Sequence, residues 1–389
     1  MPGINIFENS SPILANTQVD SSTHLSAFLC GYSLYHKITQ NDTQQLGYKI
    51  INSPTDLLSK FNIAVLTGAS SGFASGAGFS GGTVHDRELH SAINYLQYGG
   101  ILVAATGATA LNNTALAIDS VFCEDKAMMP HVINLVKLRQ DCIGIVGSSA
   151  EYHNGTSASY NASSLAHYSM FGITGITGAT STDEYFFSII GRKTIDRQYG
   201  NTGSIDILVG SDVAGLMART DINGQFFLPP SGIRKGQINF YTNYEPKLSE
   251  TDMNTLESTY GINSIAKLVG YNDSAFVMGD ATLEQTDTDR MHVGIVRLIS
   301  GIKRGIKPLL QGVLFEVNNE QTRERLFTAC SAYLSRLVDI QGLSDFSVRC
   351  DSFNNTDEIV AAKQLVLDIS FRPIYLIDSV TFRFVLNQG

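Results

Sequence analysis

The 389 residues carry 27 lysines and arginines against 36 aspartates and glutamates, a formal net charge of -9, which excludes a global basic footprint for nucleic acid. Hydrophobic residues make up 43% of the chain, yet no apolar run approaches the ~20 residues of a membrane-spanning helix. The charged share of 16% lies below the ~25% of ordinary globular domains, as expected of surfaces covered by neighbours, and the length points to two or three domains.

The first residues, Met1–Glu8, have neither a basic stretch nor an apolar core of the secretory kind, so nothing marks the chain for export. Cys30, Cys123, Cys142, Cys330 and Cys350 are odd in number and no two are separated by two residues. Reduced thiols in a chain made in cytoplasm are the expectation. The histidines form no HExxH or HxxxH pattern, and no metal is expected.

Residues 1–20 read as an arm. Pro2 and Gly3 prevent an early helix, Ile4 and Ile6 alternate with Asn5, and Glu8–Pro12 breaks the pattern. A lone short strand needs a sheet to dock on. From residue 24 to 150, buried strands and helices alternate, which argues for an α/β layer. Leu25–Leu34 and Ile63–Leu66 read as strands, and Pro54–Phe61 as a short helix. Asp86–Tyr98 is a helix stopped by Gly99-Gly100, followed by a strand at Ile101–Ala105. Residues 151–205 are rich in Gly, Ser, Thr and Asn and read as loops and surface strands.

A strand at Ile205–Val209 precedes a helix at Val213–Arg219 and an extended turn at Phe226–Pro230. Strands follow at Ile265–Val269 and Ala275–Met278. His292–Ile306 is an amphipathic helix that Pro308 should stop or kink. Val313–Val317 reads as a strand, and Asn318-Asn319 as an N-cap with Gln321 completing a capping box. The next helix aligns Leu326, Cys330, Tyr333, Leu334 and Leu337 on one stripe, and Gly342 ends it. Phe346–Cys350, Gln364–Phe371 and Val380–Leu386 close the chain as strands. The last two alternate with period two, which implies one buried face and, for this region, an α+β fold.

One segment imitates an enzyme. Ala64–Gly72 contains Thr67-Gly68-Ala69-Ser70-Ser71-Gly72, similar to the cofactor turn of short-chain dehydrogenases, where a strand feeds backbone N–H groups toward a pyrophosphate. The glycines from Gly72 to Gly82 disfavour the helix that must follow, and no tyrosine has a lysine four residues on. No phosphate-loop GK[ST] and no carboxylate cluster with metal-ligand spacing occurs. No catalytic residue and no cofactor is expected.

Several segments, in order, resemble the sheath proteins of contractile phage tails. They are Pro2-Gly3-Ile4 with its extended arm, Leu89–Ala105, Val213–Asp221 with Gly224 and Leu228-Pro229-Pro230, Gly261-Ile262-Asn263, Val277–Leu283, Phe315–Asn319, Val348–Asp351, Asn354-Asn355-Thr356 and Ile369–Pro373. Met278, Asp280 and Val317 depart from the family pattern.

The resemblance implies a multidomain α/β and α+β subunit whose extended N- and C-terminal β arms add to sheets of neighbouring subunits. Residues 1–22 would be an arm packing with a neighbour's C-terminal domain. Residues 23–255 would form an outer α/β domain, and 256–389 a C-terminal α+β domain facing an inner tube. The arm strands would be Ile4, Asn5, Ile6 and Phe7 at one end and Val380, Phe382, Phe384 and Leu386 at the other. Head-to-tail contacts that do not close give a helix. The implied function is a sheath that contracts to drive the inner tube through a host cell envelope. The implied partners are identical copies, the inner tail tube protein, and baseplate and tail terminator proteins, with no direct nucleic acid and no membrane insertion. The implied location is the virion tail, assembled in host cytoplasm. Arg297, Lys303, Arg304 and Lys307 fall on one arc of ~120° of their helix, a stripe suited to an acidic tube. The alternatives are a dehydrogenase-like NAD(P)-binding oxidoreductase or a tube or baseplate ring subunit.

Overall fold

A computed structural model describes residues 5–8, 11–14, 24–30, 47–60, 84–112, 116–148, 183–197, 203–268, 274–284, 287 and 289–376. The chain divides into two units, Met1–Gln311 and Gly312–Gly389.

The first unit is built on an eight-stranded sheet. Its centre is parallel: β3 (Leu25–Leu29) lies between β5 (Ile101–Ala105) and β6 (Ser120–Cys123), and β7 (Ile143–Ser148), β8 (Phe186–Ile190) and β12 (Ile262–Lys267) continue outward. Antiparallel strands close both sides, β4 (Tyr48–Ile51) on β5 and β13 (Ala275–Met278) on β12. The central strands are apolar without alternation, because a parallel sheet is covered on both faces. A small antiparallel sheet places β9 (Arg192–Asp196) between β10 (Ser204–Leu208) and β11 (Asn243–Glu245).

The helices of this unit are α1 (Pro54–Lys60), α2 (Val84–Gln97), α3 (Thr109–Asn112), α4 (Met129–Arg139), α5 (Gly210–Ile222), α6 (Glu250–Tyr260) and α7 (Val293–Gln311). Residues 87–96 of α2 are buried all round. Helix α5 packs on α2, and Gly215 permits it, since a Cβ there would overlap the Tyr98 ring. Ser249 caps α6 by accepting the Asp252 N–H, and Gly261 ends it in the left-handed region that glycine favours. All five cysteines are unpaired and buried.

Between α2, α5 and β9 lies a buried polar knot. The Lys193 ammonium donates to Asp212 Oδ1, Asn94 Oδ1 and the Asn239 carbonyl, each at 2.8 Å. The Tyr98 hydroxyl donates to Asp212 Oδ1 at 2.8 Å and accepts the Asn239 N–H at 3.1 Å.

The second unit holds α8 (Glu320–Asp339), β14 (Leu343–Arg349), α9 (Asp357–Ala361) and β15 (Asp368–Pro373). Leu326, Cys330, Leu334 and Leu337 are the buried stripe of α8, and Tyr333 is half-buried beside them.

Several expectations change. The boundary falls at 311/312 instead of 255/256, because β12 and β13 complete the main sheet and α7 is buried in the same unit. Pro308 does not stop α7, which runs three residues further; the missing N–H falls in its final turn. Residues 313–317 form a turn and not a strand, with Phe315 in the left-handed region at φ 68°. The cap of α8 is Asn319, which accepts the Thr322 N–H, so Gln321 is not in the capping-box position. The strand expected from Gln364 begins at Asp368, because Asn355 Oδ1 takes the Val366 N–H and its amide donates to the Val366 carbonyl.

Candidate functional site

The second unit presents an unfinished sheet. β14 and β15 pair antiparallel, with Phe346 opposite Phe371 and Val348 opposite Ile369, and among the described residues no third strand joins them. Exposure alternates along both strands. Phe346, Val348, Ile369 and Phe371 are half-buried on the side toward α8, while Asp345, Ser347, Arg349, Asp368, Ser370 and Arg372 face solvent. The turn that joins the strands is held by Asn354, whose amide donates to the Arg349 carbonyl and to Asp368 Oδ2, each at 2.9 Å. Among the described residues both edges of the pair are open, the arrangement through which another chain adds a strand.

Apolar side chains crowd the same unit without cover. Phe315 is 86% exposed, Phe353 78% and Val317 73%. Tyr375 and Ile374, just past β15, are exposed as well.

At the other end of the sequence, β1 (Asn5–Glu8) is not a lone strand. It forms a hairpin with β2 (Ser11–Leu14), pairing Asn5 with Leu14 and Phe7 with Pro12. Pro12 does not end the extended run, because a hairpin edge tolerates a residue that donates no hydrogen bond. Of the predicted arm residues, Asn5, Ile6 and Phe7 lie in β1. Ile4, Val380, Phe382, Phe384 and Leu386 lie outside the described residues.

The predicted basic stripe of α7 is not an exposed stripe. Arg297, Lys303 and Lys307 are buried, and the Arg304 side chain is 13% accessible. Arg297 pairs with Asp221 and donates to the Thr220 hydroxyl and the Met217 and Leu228 carbonyls. Arg304 pairs with Asp119 at 2.5 Å and donates to the Asp141 carbonyl at 2.7 Å. Lys303 donates to the Tyr185 hydroxyl at 2.8 Å and lies 5.3 Å from that ring's centre. Burial pushes the Lys307 amine down to about 8. The wheel projection placed these cations correctly on one arc, but the arc faces carboxylates and carbonyls of distant segments, so none of the four is offered to a tube.

His24, Asp119 and Asp221 converge beside these arginines, close enough to share a cation. The site is already neutralised. Asp221 pairs with His24 and Arg297, and Asp119 with Arg304. A metal ion would meet two guanidinium groups, and the cluster acts as a charge-balanced joint between β3, α5 and α7.

The alternation expected over Gln364–Phe371 runs through Asp368 and Ser370, and Asp345, Arg349 and Arg372 complete that polar face. The signal was present, since charges recur every fourth residue in both strands.

Residues 285–387 match the phage tail sheath C-terminal domain, a stretch that includes the whole open sheet. This region is similar to the tail sheath family. The tail sheath protein of Vibrio phage KVP40 is 32% identical over 181 residues, which are 46% of this chain and 26% of that protein. The tail sheath protein of Enterobacteria phage T4 is 25% identical over 256 residues, 66% of this chain and 38% of that one. The alignments therefore span between a quarter and two fifths of these sheath proteins' own length. Solved structures extend the likeness of fold over the whole chain. The baseplate structure of the anti-feeding prophage contains a chain with a TM-score of 0.68 at 16% identity, covering 100% of this chain and 99% of that one. The contracted PVC sheath complex of an extracellular contractile injection system gives 0.68 at 18% identity, covering 100% and 98%. The relatives are sheath proteins and not oxidoreductases. The nucleotide-binding alternative is set aside, and the Thr67–Gly72 turn lies outside the described residues.

Proposed function

We propose that this chain is the structural subunit of a contractile tail sheath, which polymerises helically around an inner tube and contracts to drive it through a host cell envelope. The observation that carries this reading is the two-stranded sheet with two open edges, set in the region that matches the sheath domain. A two-stranded sheet is marginal in water, and added strands from other copies would complete it. The segments that fit are the β1 arm and Val380–Leu386, whose apolar residues alternate as an added strand requires. Strand links of this kind persist while the bodies they join rotate and slide, so one subunit serves an extended and a contracted packing. The partners in this reading are identical copies, the tube, and the baseplate and terminator proteins at the tail ends, with assembly in host cytoplasm. The chemistry of the chain then lies in association and not in catalysis.

The test is electron microscopy and sedimentation of the full chain beside versions lacking residues 1–12 or 380–389. The full chain is expected to form helical polymers, and each deletion a folded monomer. Normal polymers from either deletion, or closed rings from the full chain, would refute the proposal.

A further inference from the structure

The solvent face of the open sheet carries charges that do not pair with each other. The register sets Asp345 opposite Arg372 and Arg349 opposite Asp368, with Ser347 and Ser370 between them. All six side chains are exposed. Opposite charges in facing positions ordinarily attract across a sheet, yet these four close no ion pair among the described residues. Arg349 lies over the Phe353 ring, 5.1 Å from its centre. Asp345 turns back, and its Oδ1 accepts the Phe346 N–H at 2.9 Å. Among the described residues Asp368 holds only the Asn354 amide.

The two edges differ as well. In an antiparallel pair, alternate residues turn both backbone groups away from the partner strand. The Ile374 N–H reaches the Gly342 carbonyl at 3.3 Å, so by alternation the backbone groups of Phe371 and Ile369 turn away from β14, and those of Phe346 and Val348 opposite them turn away from β15. On the β14 edge the Asp345 carboxylate already covers one of these outward N–H groups. On the β15 edge no side chain among the described residues covers the N–H of Ile369 or Phe371.

We propose that the free edge of β15 receives residues 380–386 of a second copy, and that Asp368 fixes their register by pairing with Arg383. The inference rests on the polymer reading above and adds the edge, the register and the residue that sets it. Val380, Phe382, Phe384 and Leu386 must lie on the same side as Ile369 and Phe371, which forbids a slip of one residue because every side chain would change face. Slips of two or four residues keep the faces and exchange one apolar residue for another, so packing discriminates poorly among them. Charge does discriminate. Arg383 is the one charged residue in Val380–Leu386. Beside Asp368 it meets an opposite charge, two places along it meets Ser370, and four places along it meets Arg372, a like charge.

The experiment measures the concentration at which polymers appear, by sedimentation and light scattering, for the full chain and its charge variants. Arg383→Glu is expected to raise that concentration about 10-fold, from exchanging attraction for repulsion at one cross-strand pair. Adding Asp368→Arg to Arg383→Glu is expected to restore it. A second pair guards against loss of the Asn354 bond in that variant: Asp368→Asn keeps an acceptor oxygen, and combining it with Ser370→Asp moves the carboxylate two places along. Those polymers are expected to form with altered helical parameters in electron micrographs. If Arg383→Glu polymerises like the parent while deletion of 380–389 abolishes polymers, the register assignment fails and the sheath reading stands. If the deletion polymerises normally, both fail.

Discussion

Replacing Lys193 by methionine tests whether the buried knot braces the first unit. Both Lys193 and Asp212 have side chains with 0% accessibility, and the ammonium's three protons each meet an acceptor at 2.8 Å. Burial holds the Lys193 amine below the usual lysine range, and the Asp212 carboxylate opposes that shift. Methionine matches the length of the stem but leaves Asp212 with the Tyr98 hydroxyl alone. Stranding one member of a buried pair costs about 3–5 kcal/mol. With an unfolding entropy of ~2.1 cal/mol/K per residue over the 311 residues of that unit, the loss in melting temperature is about 5–8 °C. The double variant Lys193→Met/Asp212→Asn removes both charges and should recover at least half of the loss, since the amide still accepts from Tyr98. Urea denaturation of the full chain, held below its polymerisation concentration, gives the coupling between the two sites. Additive effects of the single changes, or a shift under ~1 °C for Lys193→Met, would refute the idea that the pair acts as one unit.

Three further outcomes follow from local geometry. Burial raises the Glu124 carboxyl to about 8, against the opposing Leu208 N–H at 2.9 Å and the Arg87 charge. The unfolded carboxyl ionises near its ordinary 4.5 while the folded one stays protonated, so its contribution to stability falls as pH rises from that value through about 8. Glu124→Gln should therefore match the parent near pH ~5 and exceed it increasingly up to pH ~8, read from denaturation midpoints across pH. Asn319→Ala removes the acceptor for the Thr322 N–H and should cost about 1 kcal/mol, with faster hydrogen exchange confined to the first turn of α8. Gly301→Ala drives a Cβ into the Phe226 ring and should cost about 1–3 kcal/mol, visible in the melting of the first unit.

What the sequence revealed depended on how local each feature is. The strand Ile101–Ala105, the strand Ala275–Met278 and the helix around Asp86–Tyr98 are set by runs and stops within one segment, and they stand where expected. The parallel pairing of β8 with β12 joins residues more than seventy positions apart, and no local pattern encodes it. Helix α7 shows the same limit more sharply. A helical wheel reports which side chains share a face, but not what lies against that face. Its cations meet Asp119, Asp141, Tyr185 and Asp221, all supplied by segments 80 or more residues away except for those of α5. The alternation of Asp368–Phe371 with charges outward was legible for the opposite reason, since it is a property of one strand.

The β1–β2 hairpin bears directly on the proposed assembly. A strand that found no partner in its own chain would hold its hydrogen bonds only in the polymer, and the monomer would carry an exposed adhesive edge. Pairing with Ser11–Leu14 uses one edge of β1 and satisfies it locally. Two strands alone are weakly stable, so exchanging that pairing for a place in a larger sheet gives up little. The hairpin thus restrains association before assembly without opposing it afterwards. Asp345 does the same for the β14 edge, because its carboxylate occupies the Phe346 N–H with one short-range bond that an incoming carbonyl can replace. Edges guarded by weak, local and replaceable contacts are what a subunit requires if it must remain soluble first and be linked through its strands later.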